Sequence, residues 1–273
     1  MNPHALERMD VELLDAAFIR GALADDVLAQ LHSLSVAGET VSTQIDAGLA
    51  AAPTQGCAVF FAEYQSGGMG RNGRPWASPA SANLYFSVTR RFTRSLSAMA
   101  GLSLVVGLAA AQALHAMGFV GVGVKWPNDL WVDERKLGGI LVQLRSDLPG
   151  CFAIIGMGLN VRMPEEAARH IDQAWCDLSQ LGHGVVSRNE VAAHLLCALL
   201  PALQRFDEDG LSPFLARWQA LDALHGKPVR VTDGVQQFEG TCLGIDRNGA
   251  LRLRGKAGQE RSFHGGEASL RTA

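Results

Sequence analysis

Residues 95–119 form an almost uncharged stretch, long enough as a helix to cross a bilayer. Such a segment has to be covered on every side, by lipid or by the rest of the protein. It is built mainly from Ala, Gly and Ser, contains Gln112 and His115, and follows Arg90, Arg91 and Arg94. That texture suits the buried helix of a layered α/β protein better than a membrane span, so no membrane association is expected. The composition supplies the cover: the 273 residues are 48% hydrophobic and 19% charged, against about 25% charged in average soluble chains. The length fits one large domain with a small companion. A net charge of −3 with this apolar content excludes a disordered chain.

Cys57, Cys151, Cys176, Cys197 and Cys242 form no C-x-x-C pair and no zinc spacing with histidine. They read as buried thiols in a reducing compartment. No basic stretch followed by an apolar one opens the chain, so no secretory signal is visible and a cytoplasmic location is expected. Residues 1–41 hold two basic and seven acidic side chains, a net −5. Apolar spacing at Val11, Leu14 and Phe18, and again at Leu23, Val27 and Leu31, predicts two short amphipathic helices there. Nucleic acid binding rests on cations at phosphates, and this segment has the wrong sign.

From Gly56 the pattern turns strand-like. Strands are predicted over 57–64, 83–89, 137–144 and 151–161, with a further extended segment containing a Pro over 123–132. Residues 95–117 should form the buried helix. Asn189 is a plausible N-cap for a helix running to Leu200 and beyond, bent near Pro201, and a second helix is expected over 213–221. After His225, short β runs at 228–231, 237–243 and 250–253 are separated by Asp233-Gly234 and Asn248-Gly249, which argues for a small β barrel.

Gly68-Met69-Gly70-Arg71-Asn72-Gly73 matches G-x-G-x-x-G after a predicted strand. A dinucleotide fingerprint also needs a helix opening at the loop and an acid about twenty residues on. Here the loop runs into Pro75-Trp76-Ala77-Ser78-Pro79, and the next strand ends at Arg90 and Arg91. The nicotinamide oxidoreductase reading is therefore disfavoured. What remains is a glycine loop carrying Arg71 and Arg74, either a cradle for an anion or a surface turn with solvated arginines.

Lys125-Trp126-Pro127-Asn128-Asp129 is a second unusual cluster, because its polar groups are costly to bury without partners. Lys136 follows on a turn, ahead of Gly138 and Gly139, where something is expected to approach the backbone. Gly156-Met157-Gly158-Leu159-Asn160 repeats the theme of glycines and an amide in a strand otherwise fit for a core.

Taken in order, these segments resemble the bacterial biotin–protein ligases from about Ser42 to the C-terminus. The resemblance is carried by residues 68–74 with Trp76, Asn83-Leu84-Tyr85, residues 125–130, 135–141 and 156–160. Arg217-Trp218, Gly265-Gly266-Glu267 and Ser269-Leu270-Arg271 complete it. The related lipoate ligases carry a different glycine-rich signature, absent here. The resemblance implies an α/β (α+β) catalytic domain like that of class II aminoacyl-tRNA synthetases, followed by an SH3-like β barrel. The division is then a short helical segment over 1–41, a biotin- and ATP-binding domain over 42–224, and the barrel over 225–273.

It also implies a two-step reaction, in which biotin and ATP give biotinyl-5′-AMP, and the biotinyl group then passes to a lysine of a biotin carboxyl carrier protein. ATP, Mg²⁺ and biotin are the implied ligands; the metal's ligands are not identified. By the same resemblance, Ser42, Thr43 and Gln65, with backbone near Gly68 and Gly139, should hold the biotin head. Arg71 and Arg74 should hold phosphates, with Trp76 closing the loop over the nucleotide. Lys136 should lie against the biotin carboxylate and the phosphoryl group. Asn128 and Asp129 should sit near the reacting centre, Asp129 orienting Mg²⁺ or the incoming lysine. Asn160 and Trp175 match adenine-contacting positions, and Arg230 and Arg271 are weaker candidates for the nucleotide end.

Three departures stand out: Gln44 where the family has Asn, Met69 where it has Arg, and Pro75 after Arg74. Some relatives double as biotin-responsive repressors through an N-terminal winged helix-turn-helix, for which residues 1–41 are too short and too acidic. A ligase without DNA binding is expected. A non-catalytic biotin binder is the other reading, opposed by the intact Lys136 and arginines. Family members pair through sheet edges, so a homodimer is also open.

Overall fold

In the computed structural model, which describes residues 12–147, 150–182, 184–265 and the backbone of 269–272, Gly101 divides the apolar run. Leu96–Met99 make a single 3₁₀ turn, and the long helix (α4) starts only at Leu102 and ends at Ala116. The expected helix over 95–117 is therefore shorter. Gly101 sits at φ 91°, where a side chain is strained, and an added Cβ would lie 2.8 Å from Leu211. Eleven of the fifteen α4 residues are buried, so protein supplies the cover that the sequence demands. Gly107 lets the helix approach the sheet, its missing Cβ leaving 3.3 Å to Ile140.

The sheet beneath α4 has seven strands. In chain order they are β1 (Leu31–Ala37), β2 (Cys57–Ala62), β3 (Leu84–Phe92), β4 (Gly123–Lys125), β5 (Asp129–Val132), β6 (Arg135–Asp147) and β7 (Gly150–Leu159). Across the sheet they run β1-β2-β3-β7-β6-β5-β4, with β1 parallel to β2 and every other pair antiparallel. The segment over 123–132 is two strands, joined through a cis Trp126–Pro127 peptide. Short helices α1 (Ala16–Gly21), α2 (Asp25–Leu28) and α3 (Thr43–Leu49) flank β1.

The N-terminal segment is thus not purely helical. Short helices form around Phe18 and Val27, but Leu14 and Leu23 lie outside them, Leu31 opens β1, and Val11 lies outside the described residues. As an edge strand β1 buries little of its length, and its serines dilute the alternation that would mark it. After the small helix α5 (Glu165–Ala168), α6 (Arg188–Asp209) runs through Pro201 and packs on α4. Its N-cap is Ser187, which accepts from Glu190 N at 3.2 Å. Asn189 lies inside the helix, and its side chain instead ties down the N-terminal segment through Leu13 O at 2.8 Å and Asp15 N at 2.8 Å.

Following α7 (Leu215–Ala220), strands β8 (Pro228–Asp233), β9 (Gln236–Ile245), β10 (Leu251–Arg254), β11 (Glu260–Phe263) and β12 (Ser269–Thr272) form a second, antiparallel sheet. Its order is β11-β10-β9-β8-β12. Among the described residues β11 and β12 do not pair, so the expected barrel is not closed. Val229, Val231, Leu251, Leu253 and Phe263 join the same apolar core as the large sheet. The turn at Gly249 seals the joint: Trp126 Nε1 donates to Gly249 O at 3.1 Å, and Gly249 has no room for a Cβ beyond 3.0 Å from Leu104.

Candidate active site

Glycines fix the path of the loop between β2 and β3. Asn72 (φ 56°) and Gly73 (φ 69°) take left-handed conformations. Gly70 N donates to Arg74 O at 2.8 Å, and Trp76 N donates to Gly68 O at 2.9 Å. The loop then enters an irregular segment and no helix, which removes the dinucleotide reading. Arg71, Arg74 and Trp76 face a cavity of about 850 Å³, which Lys136, Gly139, Gly158 and Asn160 also line. The three cations named from the sequence therefore share one space.

Lys125 and Asp129 are cross-strand partners at the mouth of the β4–β5 hairpin, and Lys136 stands at the start of β6. One carboxylate thus meets two ammonium groups: Asp129 Oδ1 is 2.8 Å from Lys136 Nζ, and Oδ2 is 3.9 Å from Lys125 Nζ. The Lys125 ammonium also lies 4.1 Å from the centre of the Trp131 ring, which helps to offset its burial. Arg71 Nη1 donates to Asn128 Oδ1 at 3.3 Å, and its Nη2 donates to the Gly265 carbonyl of the second sheet. Burial lowers the Arg71 pKa, with the Asp129 carboxylate opposing the shift and Arg74 adding to it. Asn128 completes the sheet where β5 leaves β6, exchanging hydrogen bonds with Ile140 at 2.7 and 2.9 Å.

Trp76 lies flat over the paired glycines 139 and 158, where a Cβ on Gly158 would fall 2.4 Å from the indole. The Trp76 ring centre is 5.4 Å from Lys136 Nζ. Trp76 Nε1 and Asn160 Oδ1 are buried without a hydrogen-bond partner among the described residues, an arrangement that a bound ligand would relieve. The Asn160 amide donates to Cys176 O at 3.0 Å, and half-buried Trp175 lines the same wall.

Ser42, Thr43 and Gln65 close the inner end. Ser42 caps α3, accepting from Gln44 N at 3.3 Å, while Gln65 Oε1 accepts from Thr43 N at 3.0 Å. Gly68 packs behind Gln65 and Ser78 and does not face the cavity. Arg230 is not brought to the site: it stands exposed on β8, 2.8 Å from Glu239. A basic residue on a short barrel strand satisfied the pattern, but its neighbour across the sheet takes the charge. The backbone of Arg271 pairs with Arg230, and its side chain lies outside the described residues.

Two hydroxyls at this site escaped the sequence reading, one lining the cavity and one behind Gln65. Ser87 is fully buried in β3 and bonded to Thr43, and Ser78 accepts from Gln65 Nε2 at 2.9 Å. A hydroxyl amid the apolar run Leu84-Tyr85-Phe86-Ser87-Val88 was the available signal for the first.

This fold and this cavity have counterparts among the protein ligases. Residues 38–160 match the Biotin/lipoate A/B protein ligase family, and residues 224–271 match the Biotin protein ligase C terminal domain. The chain is 33% identical over 231 residues to the biotin–[acetyl-CoA-carboxylase] ligase of Paracoccus denitrificans, covering 81% of this chain and 94% of that one. It is 42% identical over 214 residues to the bifunctional ligase/repressor BirA of Escherichia coli (strain K12), covering 78% of this chain and 66% of the relative. It thus spans slightly less than two thirds of that relative's length. Among solved structures it resembles the biotin protein ligase from Aquifex aeolicus in complex with biotin and ATP. That likeness has a TM-score of 0.75 at 27% identity, over 89% of this chain and all of the other. The chain belongs to the biotin protein ligase family.

Proposed function

We propose that this chain activates biotin with ATP and transfers the biotinyl group to one lysine of a biotin carboxyl carrier protein, as the name of the Paracoccus relative suggests. The observation that carries the reading is the meeting of Lys136, Arg71 and Arg74 in one cavity with an inner end that is polar but uncharged. A ligand with an anionic tail and a neutral, hydrogen-bonding head fits such a space.

In the first step the biotin carboxylate attacks the α-phosphorus of ATP. A P–O bond forms to the carboxylate oxygen, and the bond to pyrophosphate breaks. Lys136 has three N–H donors, so it can keep Asp129 and still meet the carboxylate and the phosphoryl oxygen. Arg71 and Arg74 hold the phosphate while the mixed anhydride waits. In the second step the acceptor's amine attacks the acyl carbon, the C–N bond forms and AMP leaves. Asp129 orients that amine, and no protein nucleophile takes part. The rate gain comes from positioning and from charge already aimed at the reacting oxygens.

Asn160 Oδ1 and Trp175 are assigned to the adenine. Among the described residues no three His, Cys, Asp or Glu side chains gather to hold a metal. Were Mg²⁺ to enter with the triphosphate, Asp129 is the carboxylate on the cavity wall that would face it. When bound, it would neutralise phosphate charge. The unpartnered side of β6, residues 141–147, is the edge a second copy would use. No nucleic acid role is assigned to residues 12–41, because β1 belongs to the large sheet. The five cysteines are free thiols, in keeping with a reducing, cytoplasmic setting.

Incubation with biotin, MgATP and an acceptor carrier domain tests the proposal. The acceptor should gain the mass of one biotinyl group. An unmodified acceptor, together with a thermal shift by NADH and none by biotin with MgATP, would overturn it.

A further inference from the structure

The hydroxyls at the inner end of the cavity have a fixed direction, and Gln44 sets it. Gln44 Nε2 donates to two backbone carbonyls, Leu141 O at 3.4 Å and Ile154 O at 3.2 Å. A flipped amide would set its oxygen against both carbonyls, so Oε1 must point the other way, to Ser87 Oγ at 3.0 Å. Gly156 makes room for this, since a Cβ there would fall 2.4 Å from Gln44 Oε1. Ser87 has one proton, and an amide oxygen with no proton of its own claims it.

Thr43 Oγ1 lies 2.9 Å from Ser87 Oγ and 3.2 Å from Gln65 Oε1. Gln65 is also fixed, because Thr43 N donates to its oxygen and its amide nitrogen donates to Ser78. Neither neighbour therefore gives Thr43 Oγ1 a proton. The threonine keeps its lone pairs for whatever fills the cavity.

We propose that Gln44 is a positioning residue that holds Ser87's proton away from Thr43, so that Thr43 Oγ1 accepts from a ligand N–H. This rests on the biotin reading, in which the N–H belongs to the cyclic urea of the head.

In Gln44→Met the Ser87 proton turns to Thr43 Oγ1. The KM for biotin in pyrophosphate exchange should rise about tenfold, with kcat and the KM for ATP nearly unchanged. Ser87→Ala removes the proton altogether and should raise the KM for biotin less than about threefold. The double variant should recover the Ser87→Ala value, a rescue that lost packing would not produce. A double variant as impaired as Gln44→Met, or a Gln44→Met enzyme with unaltered KM, would overturn the proposal.

The unaltered protein gives a second measurement that depends on no variant folding. A biotin analogue with one ureido N–H replaced by oxygen should bind at least about a hundredfold more weakly in calorimetry. Equal binding of the two would sink the assignment. A wild-type protein inactive with biotin would instead defeat the ligase reading itself.

Discussion

Among the described residues, Glu63 and Asp129 each meet a buried cation, and their surroundings differ. Glu63, at the end of β2, bonds Arg188 at 2.8 Å, and the same arginine donates to Asn83 O at 3.3 Å and to the Glu12 carbonyl. Glu12 then accepts from Ser187 Oγ at 2.5 Å and Arg188 N at 2.6 Å, which lower its pKa against the opposing effect of burial. One acid side chain and two backbone carbonyls hold one base, and the Glu63 and Glu12 carboxylates take their donors from the protein itself. Around Asp129, by contrast, one carboxylate lies within ion-pair distance of two ammonium groups, Lys136 and Lys125, on the wall of the cavity. The first cluster is complete and fastens the N-terminal segment to α6. The second stands open to the cavity, where a bound anion would meet Lys136.

The largest effect should come from breaking the complete cluster. Arg188→Ala leaves Glu63 buried and unpaired, which should cost about 3–5 kcal/mol and lower Tm by roughly 10 °C in thermal denaturation. Turnover per folded molecule should stay near wild type. Lys136→Ala is the converse. Biotin-dependent pyrophosphate exchange should fall about 10²–10³-fold, while Tm moves by less than about 3 °C. Near-normal exchange in that variant would erase the distinction between the clusters.

A third carboxylate has no cation in ion-pair contact among the described residues. Asp222 joins the large sheet to the second one, accepting from Leu224 N at 3.0 Å and Cys242 Sγ at 3.9 Å, and burial raises its pKa from 3.8 to about 6. Below pH 3.8 it is protonated both folded and unfolded. As pH rises towards 6 the unfolded chain ionises first, so stability falls by about 2–3 kcal/mol across that window and then levels off. Asp222→Asn should abolish this component, read as the difference between the wild-type and variant Tm–pH curves. The smallest effect concerns the loop. Arg71→Ala or Arg74→Ala should speed release of biotinyl-5′-AMP about tenfold in a filter-retention assay.

Much of the large sheet was legible in the residues, because β2, β3 and β7 are buried strands rich in apolar residues. The edge elements were not. β1 is diluted by serine, and β11 carries the run Glu-Arg-Ser-Phe, whose pairing with β10 is secured by Glu260 bridging Arg252 and Arg254. The candidate site shows the same split. Lys136, Asp129 and the loop arginines announced themselves because charged groups beside glycine and tryptophan need partners. Ser87 and Ser78 did not, since one hydroxyl in a strand or a loop looks the same whether it is bonded to a site residue or to its own backbone.

The order of residues alone determined that this chain must wrap an apolar helix, carry a cationic glycine loop and end in short strands separated by tight turns. Those properties are local, set by side-chain polarity and by the conformations that glycine and proline permit. Tertiary structure alone decided that Arg230 turns to Glu239 and away from the cavity, and that a glutamine 43 residues from Ser87 directs its proton. Hydrogen bonds and ion pairs depend on distance in space, which sequence separation does not record.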